Sequence, residues 1–408
     1  MCTDKEENME QAKFKWVLRE RSQEKPARLA EFSEQQARKV QRFHSSFKEY
    51  RPTPLTELSQ LARDLGIKNL FVKDEAYRFG LNAFKVLGGS FAIGSYIAQQ
   101  LGEDIDALPY VRLISDDVRS RLGAKTFITT TDGNHGRGVA WTANRLRQQA
   151  VVYMPQGSAA ERLENIRAEG ARAELTEMNY DDTVRYTSEL AQQNGWVIVQ
   201  DTAWEGYTEI PLWIMQGYMT MALEAYEQLP VKPTHIFLQA GVGSLAGAVQ
   251  GFFASVYGDS CPLTVIVEPE KADCLYRTAA ADDGQLHNVA GKLDTIMAGL
   301  ACGEPNSIAW EILGSCSDGF VSCPDHTAAQ GMRILGNPLA GDMKVVAGES
   351  GAATVGLVAE ALRDERLKAL KQALQLDENS VVLCFNTEGD TDKANYRRIV
   401  WDGAYGRE

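Results

Sequence analysis

The chain has 408 residues, 44% of them hydrophobic and 24% charged, a balance that supports a packed core and excludes a disordered chain. Lys plus Arg number 42 against 55 Asp plus Glu, a net charge of −13 that speaks against nucleic acid or an anionic membrane as partner. Any anion must therefore be held by a local device. At roughly 100–200 residues per domain, two domains are expected.

The first 20 residues are highly charged and lack the apolar core of a signal peptide. Residues 1–50 read as a polar, helical, peripheral arm. The string RPTPL at 51–55 ends it, because two prolines deny helix. Strands are then expected at 69–73, 126–130, 151–154, 173–178 and 196–200, with helices at 90–101, 136–149, 159–169 and 180–194. This alternation predicts a parallel sheet. A second run follows a break near 202: helix 209–228, strand 234–239, helix 244–257, strand 263–268, helix 350–363 and strand 380–385. The uncharged stretch 236–258 approaches the length of a bilayer span. Its Gln239, Ser244, Gln250 and five glycines fit a strand, a glycine turn and a buried helix better. Seven cysteines without a C-x-x-C pair suit a reducing cytoplasm, and five scattered histidines argue against a metal site.

Four loops carry unusual chemistry. In NAFKVLGGS at 82–90, Lys85 sits among apolar residues before a helix. Desolvation there would lower its pKa and let its amine form a Schiff base; a snorkelling lysine is the bland alternative. The loop TTTDGNHG at 129–136 joins strand to helix and gathers backbone N–H groups at a helix N-terminus, a natural seat for a carboxylate or phosphate, or else simply a cap. QAGVGSLAG at 239–247 can cradle a phosphate without a positive side chain. It also imitates a dinucleotide fingerprint, with Glu268 placed to read a ribose, but its G-x-G-x-x-x-G spacing is off-pattern. The fourth loop, NTEGDTD at 386–392, is a tight polar turn after the last strand.

The combination and order of PTPL at 52–55, Phe84-Lys85, GNHG at 133–136, GVGSL at 241–245 and TEG at 387–389 resemble the fold type II pyridoxal phosphate enzymes, the group of threonine and serine dehydratases, cysteine synthase and threonine synthase. The resemblance spans roughly residues 50–392. The longer strings at 82–90, 129–139, 201–207, 296–304 and 387–392 resemble the diaminopropionate ammonia-lyase branch of that family. It implies an α/β fold of two open twisted-sheet lobes with the active site between them. The large domain would comprise 1–87 and 203–408, the small domain 88–202.

By the same resemblance, Lys85 carries pyridoxal 5′-phosphate, and Gly241, Val242, Gly243, Ser244 and Leu245 bind its phosphate. Asn134 bonds the 3′-oxygen, Thr387 faces the pyridine nitrogen, and Glu349 lies near the ring. Thr131, Gly133, Asn134 and His135 hold the substrate carboxylate. Asp132 departs from the dehydratases, which carry serine there; a carboxylate can act as a base where an unactivated hydroxyl cannot. Asp132 and Asp201 would work from opposite faces, on the D and L isomers of 2,3-diaminopropionate, with pyruvate and two ammonia as products. The acid that protonates the departing β-amine stays open between Lys85 and an aspartate. The resemblance further implies a homodimer, and it leaves open whether Cys274 and Cys302 pair. A serine or threonine dehydratase is the nearest rival. A nicotinamide dehydrogenase and a catalytically silent cofactor-binding protein are more distant ones.

Overall fold

The computed structural model describes residues 14–406. Its strands are β1 (Lys15–Leu18), β2 (Leu55–Glu57), β3 (Asn69–Asp74), β4 (Thr126–Thr130), β5 (Gln149–Met154), β6 (Arg172–Leu175), β7 (Val197–Ile198), β8 (His235–Gln239), β9 (Leu263–Pro269), β10 (Gly319–Cys323) and β11 (Val381–Asn386). They form two sheets, ordered β1-β10-β9-β8-β11-β3-β2 and β6-β5-β4-β7.

In the larger sheet β10, β9, β8, β11 and β3 run parallel, while β1 and β2 add antiparallel edges. Every residue of β8, β10 and β11 is buried, the pattern of parallel strands covered on both faces. Their core includes Leu70, Val72, Phe237, Val265, Val321, Leu357 and Val382. The smaller sheet is parallel throughout, as the first βα run predicts. The chain divides into two compact units, one of Met1–Ala30, Thr53–Ala76 and Ala225–Glu408, the other of Glu31–Pro52 and Tyr77–Glu224. The resemblance implies boundaries at 87/88 and 202/203, whereas compactness groups 31–52, 77–87 and 203–224 with the smaller sheet.

The helices Tyr180–Asn194, Glu209–Gln228 and Ser244–Tyr257 stand where they are predicted. Two others start earlier than periodicity indicates, at Val86 instead of 90 and at Asn134 instead of 136, so both motif loops abut helix N-termini. The peripheral arm is corrected. Residues 15–18 form β1, paired with β10, and the helix Glu34–Ser45 buries Ala37, Val40, Phe43 and His44. Phe43 packs edge-on against Phe47 and Phe91. Charge density around these segments hid short apolar sets that tertiary partners bury. The remainder of the arm, residues 1–13, lies outside the described residues. Strands β2 and β10 are additional to the expectation. The 236–258 stretch is β8, a glycine turn and the helix Ser244–Tyr257; no described helix is long and apolar enough to cross a membrane.

Candidate active site

Lys85 immediately precedes the helix Val86–Leu101, flanked by buried Ala83, Phe84, Val86 and Leu87. Its Nζ donates to Asp201 Oδ2 at 2.7 Å. Asp201 lies just beyond β7 and is 7% exposed. His135 Nδ1 stands 4.0 Å from the same oxygen, while His135 Nε2 meets the Val199 carbonyl at 2.7 Å. A carbonyl only accepts, so Nε2 carries the hydrogen and Nδ1 of the neutral ring is a lone pair without a hydrogen-bond partner.

Sequence reasoning expects desolvation to lower the Lys85 pKa, and that is corrected. Burial does act downward, but Asp201 above all outweighs it and raises the amine beyond its ordinary range. The same pair explains Asp201: burial would raise its carboxyl, yet Lys85 above all holds it at about 2. The free lysine is thus an ammonium in an ion pair. Burial also keeps His135 below its usual value.

The loop after β4 spends much of its hydrogen bonding on itself. Thr131 Oγ1 accepts from Gly133 N at 2.9 Å and Gly136 N at 3.1 Å, and Thr131 N donates to Tyr153 O. The N–H groups of Thr131 and Gly133 are therefore already committed. Asn134 opens the helix Asn134–Arg145. Asp132 presents Oδ2 to Arg162 Nη1 at 3.2 Å. Arg162 comes from the helix Ala160–Ala168, is 8% exposed, and was missed by sequence reasoning because only the fold brings it to Asp132.

The other expected residues belong to the unit with the seven-stranded sheet. Gly243 caps the helix Ser244–Tyr257 with φ +100° and, lacking a side chain, contributes no side-chain cap hydrogen bond. Such a terminus attracts an anion. A Cβ on Gly243 would meet Ala309 and Leu275 at 3.2 Å, so both backbone conformation and space demand glycine. Asn306, also missed, is fully buried. Its N donates to Val242 O and its Nδ2 to Ser244 Oγ, both at 2.8 Å, while its Oδ1 accepts from Ile308 N and Ala309 N. It fastens the glycine loop, together with Leu245 in the first helical turn, to the helix Ser307–Cys316.

Thr387 follows β11, is 3% exposed, and accepts from Gln239 Nε2 at 2.9 Å. Glu349 sits buried in the first turn of Glu349–Arg363 and accepts from Asn395 Nδ2 at 2.5 Å. Glu268, which a dinucleotide site would use on a ribose, is fully buried and accepts from Leu275 N at 2.9 Å and Tyr276 N at 2.6 Å; it caps the next helix. No disulfide joins Cys274 and Cys302. The donor set, taken unit by unit, suits a phosphorylated aldehyde: a buried primary amine for the carbonyl in the unit with the smaller sheet, and a glycine-capped helix terminus for the phosphate with a buried hydroxyl in the other.

A family description, pyridoxal-phosphate dependent enzyme, matches residues 47–386. The chain belongs to this family. Within it, the chain is 52% identical over 378 residues to diaminopropionate ammonia-lyase of Escherichia coli K12, covering 92% of this chain and 93% of that protein. The crystal structure of the Escherichia coli enzyme in complex with an aminoacrylate-PLP azomethine reaction intermediate superposes with a TM-score of 0.89 at 48% identity, covering 97% of this chain and 98% of that one. A catabolic L-threonine dehydratase of Staphylococcus aureus is 25% identical over 288 residues, 70% of this chain and 72% of that protein. The family's cofactor is the phosphorylated aldehyde that the donor set suits.

Proposed function

We propose that the chain eliminates ammonia from D- and L-2,3-diaminopropionate, yielding pyruvate and two ammonia, with pyridoxal 5′-phosphate as cofactor. The observation that carries this reading is the Lys85–Asp201 contact of 2.7 Å in a chain 52% identical to a diaminopropionate ammonia-lyase. When bound, the cofactor supplies an electron sink for the negative charge that develops at the substrate's Cα.

The chain's residues do the rest. Lys85 holds the cofactor covalently, and Gly241, Val242, Gly243, Ser244 and Leu245 bind its phosphate through backbone N–H groups. Asn134, Thr387 and Glu349 serve its ring. Thr131, Gly133 and His135 belong to the substrate-carboxylate loop. Asp201, held 2.7 Å from the Lys85 amine, is one base. Asp132, braced by Arg162, is the second base. One takes the Cα proton of the L isomer and the other that of the D isomer, because a base reaches only its own face. A serine or threonine dehydratase is less favoured: those relatives are only distantly similar, and their serine is replaced here by Asp132.

We also propose a cytoplasmic homodimer with a small amino acid as its ligand; the cysteines outside any disulfide, Cys261, Cys274, Cys316, Cys323 and Cys384 among them, support a reducing compartment. The deciding experiment measures pyruvate from D- and L-diaminopropionate and from serine, alongside 2-oxobutyrate from threonine. Turnover of threonine or serine above both diaminopropionate isomers would sink the assignment.

A further inference from the structure

Breaking the Cβ–N bond of diaminopropionate requires a proton for a neutral departing amine, and apart from Lys85, whose ammonium already donates to Asp201, the groups treated so far are poor donors. Asp132 and Asp201 are engaged as carboxylates with Arg162 and Lys85. His135 gives its Nε2 hydrogen to Val199 O and turns a lone pair toward Asp201. The Tyr207 hydroxyl is occupied, accepting from Gln200 N at 2.9 Å and donating to Ile198 O at 3.0 Å.

Tyr218, on the helix Glu209–Gln228, differs from all of these. It is 1% exposed, and its hydroxyl is buried without any hydrogen-bond partner. Leaving a buried hydroxyl unsatisfied costs about 1–3 kcal/mol, so such an atom requires a reason. Its ring is clamped by the residues on either side of Lys85. It lies 4.7 Å, centroid to centroid, from Phe84, and it fills the space a Cβ on Gly88 would need, since that atom would fall 2.6 Å from Tyr218 Cε1. The charged groups acting on the hydroxyl are Lys85 and Asp201. Burial, more than either, pushes the phenol up, so it is protonated at rest.

We propose that Tyr218 is a further catalytic residue, its phenol donating a proton to the β-nitrogen of diaminopropionate as the Cβ–N bond breaks. This rests on the function proposed above. The bonding pair leaves with nitrogen, the phenol proton completes ammonia, and the phenolate is restored by the proton that Asp132 or Asp201 has taken from Cα. No external donor or acceptor is needed. The neutral form of the β-amine is the one that needs an acid as it leaves.

The test is Tyr218→Phe, which keeps the ring between Phe84 and Gly88 and removes only the hydroxyl. Pyruvate release is measured from diaminopropionate and from β-chloroalanine, whose chloride departs without a proton, and cofactor affinity is measured by titrating the apo-protein. Diaminopropionate turnover is expected to fall about 10²–10⁴-fold and β-chloroalanine turnover less than about fivefold, with cofactor affinity within about threefold of the parent. Equal falls for both substrates, no fall, or a cofactor affinity weakened about tenfold or more would each overturn the proposal. Parent protein that releases no pyruvate from diaminopropionate would instead overturn the underlying function, so the two failures are distinguishable.

Discussion

The loop after β4 and the loop after β8 share one local plan, a parallel strand, a glycine turn and a helix N-terminus, yet they are built from opposite materials. The first is crowded with polar side chains. Thr131 folds back on its own turn, Asp132 meets Arg162, and His135 stands beside the Lys85–Asp201 pair. The second offers backbone on an apolar bed of Leu275, Ala309 and Leu313, with Asn306 as its brace. A site that moves protons needs titratable side chains held at stated atoms. A site that holds a phosphate in a chain of net charge −13 needs N–H groups and the absence of side chains. The same supersecondary unit serves both, and substitution should fail differently in each.

The largest expected effect belongs to the side-chain site. Lys85→Ala should abolish turnover, and borohydride treatment of the parent holoenzyme should fix the cofactor to the peptide containing Lys85; label recovered on Lys73 or Lys125 would contradict this.

Asp201→Asn comes next. It should reduce L-diaminopropionate turnover by about 10²–10⁴-fold and largely spare the D isomer, the usual worth of a positioned base. Losing the pair also removes the largest opposition to burial at Lys85, so the free amine's pKa should drop, as read from acylation rate against pH in the apo-protein. Equal loss for both isomers would reduce Asp201 to a partner of the lysine.

In the backbone site the readout changes from turnover to cofactor binding. Gly243→Val should weaken cofactor affinity by roughly tenfold to a hundredfold, because a β-branched residue resists φ +100° and the added carbons press on Ala309 and Leu275. Retained affinity would exclude this turn as the phosphate cradle.

The smallest effect is on stability. His135 is fully buried and held below the ordinary 6.5, so the unfolded chain takes up a proton that the folded loop refuses. Stability contributed here is complete above about pH 6.5 and declines as pH falls beneath it. His135→Gln should flatten the pH dependence of urea unfolding by up to about 1.4 kcal/mol per pH unit between pH 6 and 5. His44, held at about 3 by burial, and His235, also lowered, have the same sign and keep some slope in the variant. Ser244→Ala, in a loop with no titrating group, should leave the slope unchanged.

How much of this was legible in the sequence differs between the two loops as well. The glycine loop could be read directly, because its working parts are contiguous and glycine at 243 advertises a conformation other residues resist. Lys85 and Asp132 could be found through their motifs, but the charge state of Lys85 could not. That depends on Asp201, 116 residues away in the chain, and the pair reverses the shift that burial alone would cause. Arg162, Asn306 and Tyr218 gave no local signal: an arginine in a helix, an asparagine before one and a tyrosine within an apolar helix are each ordinary.

By itself, then, the sequence indicated the alternating strands and helices of the two βα runs, where strands abut helix N-termini, and which contiguous loops could carry chemistry, since periodicity, glycine and capping act over a few residues. It also determined the family, through strings too long to arise by chance. The tertiary structure alone decided that residues 15–18 close the edge of the seven-stranded sheet, that Asp132 has an arginine partner, that Lys85 is an ammonium, and that a buried phenol has no partner. Pairing, desolvation and unsatisfied hydrogen bonds are properties of groups distant in the chain, and they exist only once the chain has brought those groups together.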